Sequence, residues 1–296
     1  MVSHAMNLLC LLLFALGLAP LGGIAATSSA AIFNVRDFGA MGDGRTLDGA
    51  AINRAIVSAA EAGGGTVVLP AGDYLSYTLR LRSHITLQLD AGATLIAAEP
   101  PRVGQPGGYD KPEPNPWNQY QDFGHSHFRN SLIWGENLEG VSIIGPGRIY
   151  GRGLSRGNGR HAAPVGAPPP APDPNGVPPD VLAADGDFEF DPRPDLVPGP
   201  FGYPKPRDTL PDGVGNKAIA LLNCRNVTLR DFSMLHGGHF AILATSVDNL
   251  TIDNLRIDTN RDGMDIDGCR NVRISNCSVN SPWDDGICLK SSHATG

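Results

Sequence analysis

The feature that most constrains the fold of this chain is a repeat of 22 or 23 residues near its end. The segments NVTLRDFSM, NLTIDNLRI and NVRISNCSV begin at Asn226, Asn249 and Asn271 and align without gaps. Apolar and polar residues alternate within each segment, as in a β-strand with one buried face. A period of this length with no helical spacing is typical of a solenoid. The repeat therefore predicts an all-β parallel β-helix whose coils stack about 4.8 Å apart.

The asparagine that heads each repeat is expected to lie at a corner of its coil. Stacked Asn side chains can bond one another and the backbone of the turn. The stretches NVT and NLT also match the acceptor pattern for N-glycosylation, but we favour the structural interpretation. Two earlier segments, from Ser83 and from Asn137, fit the repeat more loosely.

The front of the chain predicts a short helix instead of a coil. Asp48 is the expected N-cap residue, and Gly63 is expected to end the helix. We expect this helix to cover the open end of the solenoid, where strand edges would otherwise be unpaired. Its apolar face consists of Ile52, Ala55, Ile56, Ala59 and Ala60.

The N-terminus resembles an export signal. Residues 8–25 form a nearly unbroken apolar run, and small residues follow it. We predict a signal peptide over residues 1–26 and a β-helix domain over residues 27–296, in a secreted or periplasmic protein. The flank MVSHAMN lacks Lys and Arg, and an uncleaved anchor and a buried strand are the alternatives.

The charge of the chain limits its partners. The formal net charge is −7 and the pI is about 5.5, so no global basic face for nucleic acid is expected. No segment after the signal approaches the ~18 apolar residues that a membrane span needs. We therefore expect neither nucleic acid nor membrane as a partner of the mature protein, and we expect a monomer.

Two segments interrupt the repeat. Residues 154–214 hold 15 of the 25 prolines and are too polar and proline-rich to form a coil. We interpret them as an excursion that walls one side of a cleft, with a disordered insertion as the alternative. Residues 100–128 form a shorter excursion, whose rings either stack on sugars or pack locally. Its aromatic and histidine residues include Trp117, Tyr120, Phe123, His125 and His127.

Four cysteines follow the signal region. Cys224 and Cys269 lie two coils apart, roughly 9–10 Å, which exceeds the ~7 Å limit for a disulfide. Cys277 occupies an apolar column and is expected to be a buried free thiol. A disulfide from Cys288 to Cys269 or to Cys277 stays open.

Three aspartates stand out in the stretch NRDGMDIDGCRNVRISNCSVNSPWDDGICLKSS. Asp262, Asp284 and His239 each lie 13 residues after the asparagine that heads their repeat, and Asp285 follows Asp284. Downstream apolar residues realign only if Asp285 matches Asp262. We therefore expect one extra residue, a β-bulge, near the aspartate pair. The realigned pairs are Met264 with Ile287 and Ile266 with Leu289.

Such a bulge would turn both adjacent carboxylates toward the groove that Asp262 faces. Three carboxylates this close cannot all ionise easily, so at least one pKa should rise. A protonated carboxyl beside an ionised one is what hydrolysis of a glycosidic bond requires. An acidic Ca²⁺ site and a solvated turn are the alternatives.

These motifs resemble glycoside hydrolase family 28, the polygalacturonase-like enzymes. FGAMGDGRTLDGAAINRAI and GGGTVVLPAGDY are similar to the family's N-terminal cap and first coil, NRDGMD to its N-T-D-G-x-D motif, and WDDGICLKSS to its G-D-D-C-x-A-I-K-S motif. The resemblance covers nearly all of the mature sequence. It implies a right-handed parallel β-helix that cleaves α-1,4-linked galacturonan, or a related pectic polysaccharide of the plant cell wall, by acid/base hydrolysis with inversion.

The resemblance also implies roles for individual residues. Asp284 would be the general acid, and Asp262 and Asp285 would hold and activate the water. No metal and no other cofactor is implied. Asp265 matches the last Asp of the N-T-D-G-x-D motif and is expected to support the reacting carboxylates from behind. Lys290 fits the family pattern and is expected to contact substrate, with a surface role as the alternative.

Several residues depart from the family pattern. Arg261 stands where the family has Thr or Pro, and either contacts a substrate carboxylate or pairs with a neighbouring Asp. Trp283 replaces a Gly and either forms a sugar platform or fills a corner. We expect His239 to contact substrate from the adjacent coil. His293 comes too early to be the family's downstream G-H-G histidine, and its R-I-K pair is absent. We therefore expect an N-terminal part of a longer enzyme.

Two other functions remain as alternatives. A pectate-lyase-like β-helix would cut by elimination, with Ca²⁺ and a basic residue such as Arg261. A carbohydrate-binding or adhesin β-helix would bind without turnover and would tolerate loss of the three aspartates.

Overall fold

In the computed structural model, the chain is a parallel β-helix with three long sheets. The structure describes residues 31–101, 105–115, 123–155, 210, 212–259, 261–282 and 284–291. Several features predicted from the sequence lie outside the described residues. They are the signal peptide, most of the proline-rich excursion, Trp117, Tyr120, Trp283 and His293.

The strands are numbered in chain order. The first sheet contains β1 (Ile32–Asn34), β3 (Gly65–Leu69), β6 (Ile85–Leu89), β9 (Glu139–Ile144), β12 (Arg225–Arg230), β15 (Asp248–Asp253) and β18 (Arg270–Ser275). The second contains β2 (Asp43–Leu47), β4 (Gly72–Ser76), β7 (Ala93–Ala97), β10 (Arg148–Tyr150), β13 (Ser233–Leu235), β16 (Arg256–Asp258) and β19 (Ser278–Asn280). The third contains β5 (Leu79–Arg80), β8 (Ser131–Glu136), β11 (Lys217–Leu222), β14 (Phe240–Thr245), β17 (Asp262–Asp267) and β20 (Ile287–Lys290).

Neighbouring coils pair in the register that the repeat predicts. Val227 of β12 pairs with Leu250 of β15, and Leu250 pairs with Val272 of β18. The first two of these side chains are buried in the core that runs along the inside of the coils. The alternation of apolar residues therefore identified the inner face of each strand correctly.

The repeat asparagines lie just after a coil corner, as the second residues of β12, β15 and β18. Asn226, Asn249 and Asn271 have φ values of 56°, 61° and 54°, in the left-handed region that Asn tolerates better than most residues. The amide of Asn249 donates to Oδ1 of Asn226 at 2.7 Å. Asn271 donates to Oδ1 of Asp248 at 2.9 Å. Hydrogen bonds between coils thus reinforce the corners.

The predicted cap is helix α1 (Gly49–Glu61), and its apolar face is buried against the first coils. Asp48 occupies the predicted N-cap position, but its side chain makes no hydrogen bond to the N-terminus of the helix. Its carboxylate accepts instead from the backbone N–H groups of Met41 and Gly42, at 2.7 and 2.9 Å. These two donors lie in the loop before β2, so Asp48 ties that loop to the cap. No helix in the described part of the chain is long and apolar enough to cross a membrane.

The four described cysteines are free thiols. Cys269 and Cys277 pack against the interior core. Cys288 lies on the opposite side of its strand, in register with Asp265 and within hydrogen-bond reach of Asp285. Neither disulfide left open for Cys288 forms, because its thiol and the other two face different sides of the coil wall.

Candidate active site

The three aspartates come together at the start of the third sheet. Asp262 is the first residue of β17, while Asp284 and Asp285 lie in the turn that leads into β20. One carboxylate oxygen from each residue lies within 4.8 Å of the other two. Two adjacent coils therefore place three carboxyl groups at one point.

The extra residue before β20 explains how two adjacent aspartates reach the same place. Ile242 pairs with Met264 after 22 residues, whereas Met264 pairs with Ile287 after 23. The predicted realignment of β17 and β20 is thus confirmed. The hydroxyl of Ser281 fixes the enlarged turn, because it reaches the backbone oxygens of Arg261 at 2.5 Å and Asp284 at 3.1 Å. The sequence analysis did not predict this role of Ser281. The only indication in the sequence is that a hydroxyl residue stands in the turn before the aspartate pair.

Asp262 occupies the most enclosed position of the three. Its side chain is 5 % exposed, against 37 % for Asp284. Burial first, and the nearby charge of Asp284 second, raise the pKa of Asp262 to about 7. Arg261 opposes the shift, with Nε 3.3 Å from Asp262 and 3.5 Å from Asp284. One carboxyl of the cluster thus keeps its proton at mildly acidic pH, and that carboxyl is Asp262.

Arg261 is paired within the site. Its contacts with Asp262 and Asp284 correspond to the ion-pair alternative for this residue. The guanidinium offsets the negative charge of the cluster and holds Asp284 near Asp262. Carboxylate oxygens this close are also the ligand type that Ca²⁺ prefers.

His239 does not lie in the column that counting from the asparagines predicts. Phe240, not His239, pairs with Asp262, because the earlier coil has one more residue between its corner and its third strand. His239 is 4 % exposed and stacks on Phe240 with ring centroids 4.2 Å apart. His239 is therefore buried beneath the segment around Gly124, and the expectation that it contacts substrate is not supported by its position.

Asp265 and Lys290 form a second charged cluster beside the first. Nζ of Lys290 donates to Oδ2 of Asp265 at 2.8 Å, and Nε2 of His125 lies 2.7 Å from the same oxygen. Nζ of Lys290 is also 2.5 Å from Nε2 of His125. That ring nitrogen either donates to Asp265 or accepts from Lys290, but cannot do both.

The charges of this second cluster are balanced within it. Burial alone would raise the pKa of Asp265, but the hydrogen bonds from His125 and Lys290 outweigh burial and lower it. Lys290 is half-buried and bound to Asp265, so it is not a free surface residue, and its expected contact with substrate stays a prediction. His125 was noted in the sequence only as part of an excursion, and no local signal indicated that it reaches the site.

The stacked coils define the class of this protein as a parallel β-helix. The family description "Right handed beta helix region" matches residues 212–295, in agreement with the predicted hand. A second description, "Rhamnogalacturonase A/epimerase, pectate lyase-like", matches residues 32–111.

Individual relatives narrow the class. A probable polygalacturonase from Vitis vinifera is 25 % identical over 264 residues, which cover 86 % of this chain and 43 % of that protein. The Family 28 exopolygalacturonase of Yersinia enterocolitica superposes with a TM-score of 0.56 at 26 % identity, over 88 % of this chain and 45 % of that one. Mannuronan C5-epimerase AlgE3 of Azotobacter vinelandii is 67 % identical over only 42 residues, 14 % of this chain and 2 % of that protein.

The chain spans less than half the length of these relatives. Its fold is like that of the Family 28 exopolygalacturonase, in agreement with the resemblance identified from the motifs.

Proposed function

We propose that this chain carries the hydrolytic centre of an exported enzyme that cleaves α-1,4-linked galacturonan or a related pectic polysaccharide. The observation that carries the proposal is the meeting of Asp262, Asp284 and Asp285 within 4.8 Å, with one pKa raised to about 7. The likeness to polygalacturonases supports the substrate class.

The geometry suggests a division of labour among the three carboxyls. Asp262 stores the proton in the free protein, and Asp284, the more exposed of the two, delivers it to the glycosidic oxygen. The proton passes between them inside the cluster. Asp285 and the then ionised Asp262 accept a proton from water as it attacks the anomeric carbon.

We propose inversion at the anomeric carbon, as the family resemblance implies. The spacing of the carboxylates is shorter than the ~6.5–9.5 Å usual for an acid and a base on opposite faces of the sugar. It is closer to the ~5–5.5 Å usual for retaining enzymes, so inversion rests on the family resemblance alone. For inversion, Asp284 must protonate the leaving oxygen while Asp262 and Asp285 hold the water on the opposite face of the anomeric carbon. Proton NMR of the first anomer released tests this stereochemistry directly.

Single substitutions of the three aspartates test the proposal. Asp262→Asn, Asp284→Asn and Asp285→Asn are each expected to lower kcat on polygalacturonate by about 10²–10⁴-fold, because each removes a group that moves the proton. Reducing-end release measures the effect. The matched control is Asp258→Asn, which changes an exposed aspartate of β16 and should leave kcat unchanged.

Other outcomes would identify a different chemistry. An ultraviolet-absorbing unsaturated product that disappears on adding a chelator would mean elimination assisted by Ca²⁺. Polysaccharide binding without release of reducing ends, unchanged in all three variants, would mean a binding protein.

A further inference from the structure

The third sheet is covered on its outer face, unlike the other two sheets. Every residue of β14 and of β17 is buried, and so are nearly all residues of β11. Strands of the first sheet such as β12 and β15 alternate between buried and more exposed residues. Only one face of each strand can point into the core, so another part of the chain must lie on the outer face of β11, β14 and β17.

The cover is the second half of the shorter excursion. Phe128 packs with Ala220, Phe240 and Leu243 in an apolar cluster separate from the main core. Helix α2 (Phe123–Ser126) lies directly on the sheet. Its backbone is so close that a Cβ added at Gly124 would lie 2.7 Å from Cε1 of His239. The described part of the excursion therefore packs on the third sheet, while the predicted roles of Trp117 and Tyr120 lie outside the described residues.

Polar bonds anchor the cover to the body of the β-helix. The carboxylate of Glu113 ties the two parts of the cover together, because it accepts from the backbone N–H groups of Phe128 and Arg129, at 2.8 and 3.0 Å. Asp110 provides the link to the coils. Asp110 pairs with Arg80 at 2.5 Å and accepts from Nε1 of Trp134 at 3.0 Å. We refer to residues 105–115 and 123–130 together as the groove cover.

The groove cover ends beside the three aspartates. His125 of the cover contacts Asp265 of β17. Asp265 lies three residues along that strand from Asp262. The trough along the third sheet is thus filled over β11 and β14. His125 extends the cover to Asp265 and Lys290, on the two coils that carry the carboxylates, while Asp284 and Asp285 stay exposed beside it.

We propose that the groove cover closes the substrate groove on the side of the earlier coils, so that the site accepts the end of a uronan chain and excludes its interior. This inference rests on the proposed function, because it assumes that the carboxylates meet a polysaccharide. A chain running along the trough would have to occupy the space that Phe128 and α2 fill. Only a sugar whose neighbour on that side is missing can reach the three aspartates.

Binding of end-modified oligosaccharides tests the inference. We would measure calorimetric affinity of Asp284→Asn for oligogalacturonides of about six sugars, in three forms: unmodified, with a 4,5-unsaturated non-reducing end, and with the reducing end reduced to the alditol. One of the two modifications should weaken binding by at least about tenfold, because the altered sugar meets the closed wall, and the other should have little effect. The wild-type protein should release small products from the start, with little early loss of viscosity of polygalacturonate.

The failures of the two proposals are distinguishable. Equal binding of all three forms, or a rapid early fall in viscosity, would overturn the closed groove and leave the hydrolase proposal standing. If no form binds and no reducing ends appear, both proposals are overturned.

A variant of the cover provides a second test. Gly124→Val should push α2 away from His239 and reduce the difference in affinity between end-modified and unmodified ligands. A variant that folds, as judged by circular dichroism, and keeps the full difference would contradict the role of α2. If the variant fails to fold, the comparison of the three oligosaccharides still decides the matter.

Discussion

Asp262→Asn is expected to stabilise the protein, and to do so more strongly as the pH rises. The folded-state pKa of Asp262 is about 7 and its ordinary value is 3.8, so ionising this buried carboxyl opposes folding. A raised pKa contributes stability that is complete below the unfolded value and is lost as pH rises through the folded value. A neutral amide avoids that loss. With 1.36 kcal/mol per pKa unit, the variant should gain ~0.5 kcal/mol near pH 4 and up to ~4 kcal/mol near pH 8.

Denaturant unfolding at several pH values measures this gain. The control is again Asp258→Asn, whose exposed carboxyl accepts from the side chain of Asn280 at 3.0 Å. Its effect on the free energy of unfolding should be small and nearly independent of pH. A gain for Asp262→Asn that stays flat between acidic and alkaline pH would show that Asp262 does not titrate near neutrality.

Asp265→Asn is expected to have the opposite effect and to destabilise the protein by ~3–5 kcal/mol, as is typical when one partner of a buried ion pair is removed. Asp265 is fully buried, and Nζ of Lys290 and Nε2 of His125 both lie within hydrogen-bond distance of one of its oxygens. The other oxygen has no hydrogen-bond partner among the described residues. An amide nitrogen would either face the ammonium of Lys290 or lie where no acceptor meets it.

The pH dependence of Asp265→Asn also has the opposite sign. The pKa of Asp265 is lowered, so its carboxylate contributes stability that is present above the unfolded value of 3.8 and is lost as pH falls through the folded value. The destabilisation should therefore be largest near neutral pH and smaller in strong acid. Equal unfolding free energies of the variant and the wild type at neutral pH would show that the contacts of Asp265 with His125 and Lys290 do not stabilise the fold.

Together, the two variants test whether the pKa values of two aspartates on one strand are shifted in opposite directions. Asp262 and Asp265 are three residues apart on β17, but Asp262 is enclosed beside other carboxylates and Asp265 beside Lys290 and His125. A sequence shows the spacing of these residues without showing which charges surround them.

The repeat made the fold and the meeting of the three aspartates predictable. In a solenoid, residues one period apart are spatial neighbours, so a sequence alignment of the coils is also a contact map. The pairing of Met264 with Ile287 follows from that reasoning alone. The error in the column of His239 has the same origin, because counting from the corner assumes turns of equal length.

The parts of the chain outside the repeat could not be placed in this way. His125 reaches Asp265 across 140 residues of sequence, and no periodicity links the two. The carboxylate of Asp48 accepts from two loop N–H groups and not from the helix N-terminus. This pairing depends on the position of the loop, which the repeat does not give. The contacts between the groove cover and the third sheet join residues that are far apart in the sequence. The proposal of a groove closed at one end therefore required the structure.

The most direct test of the account is a ¹³C NMR titration of the Asp262 side-chain carboxyl, assigned by comparison with Asp262→Asn. If neighbouring coils bring three carboxyls to one enclosed point, this group should titrate near pH 7 in the wild-type protein, and its pKa should fall in Asp284→Asn, which removes the adjacent negative charge. Titration close to 3.8 in both proteins would contradict the account, because Asp262 would then be neither enclosed nor coupled to its neighbour on the next coil.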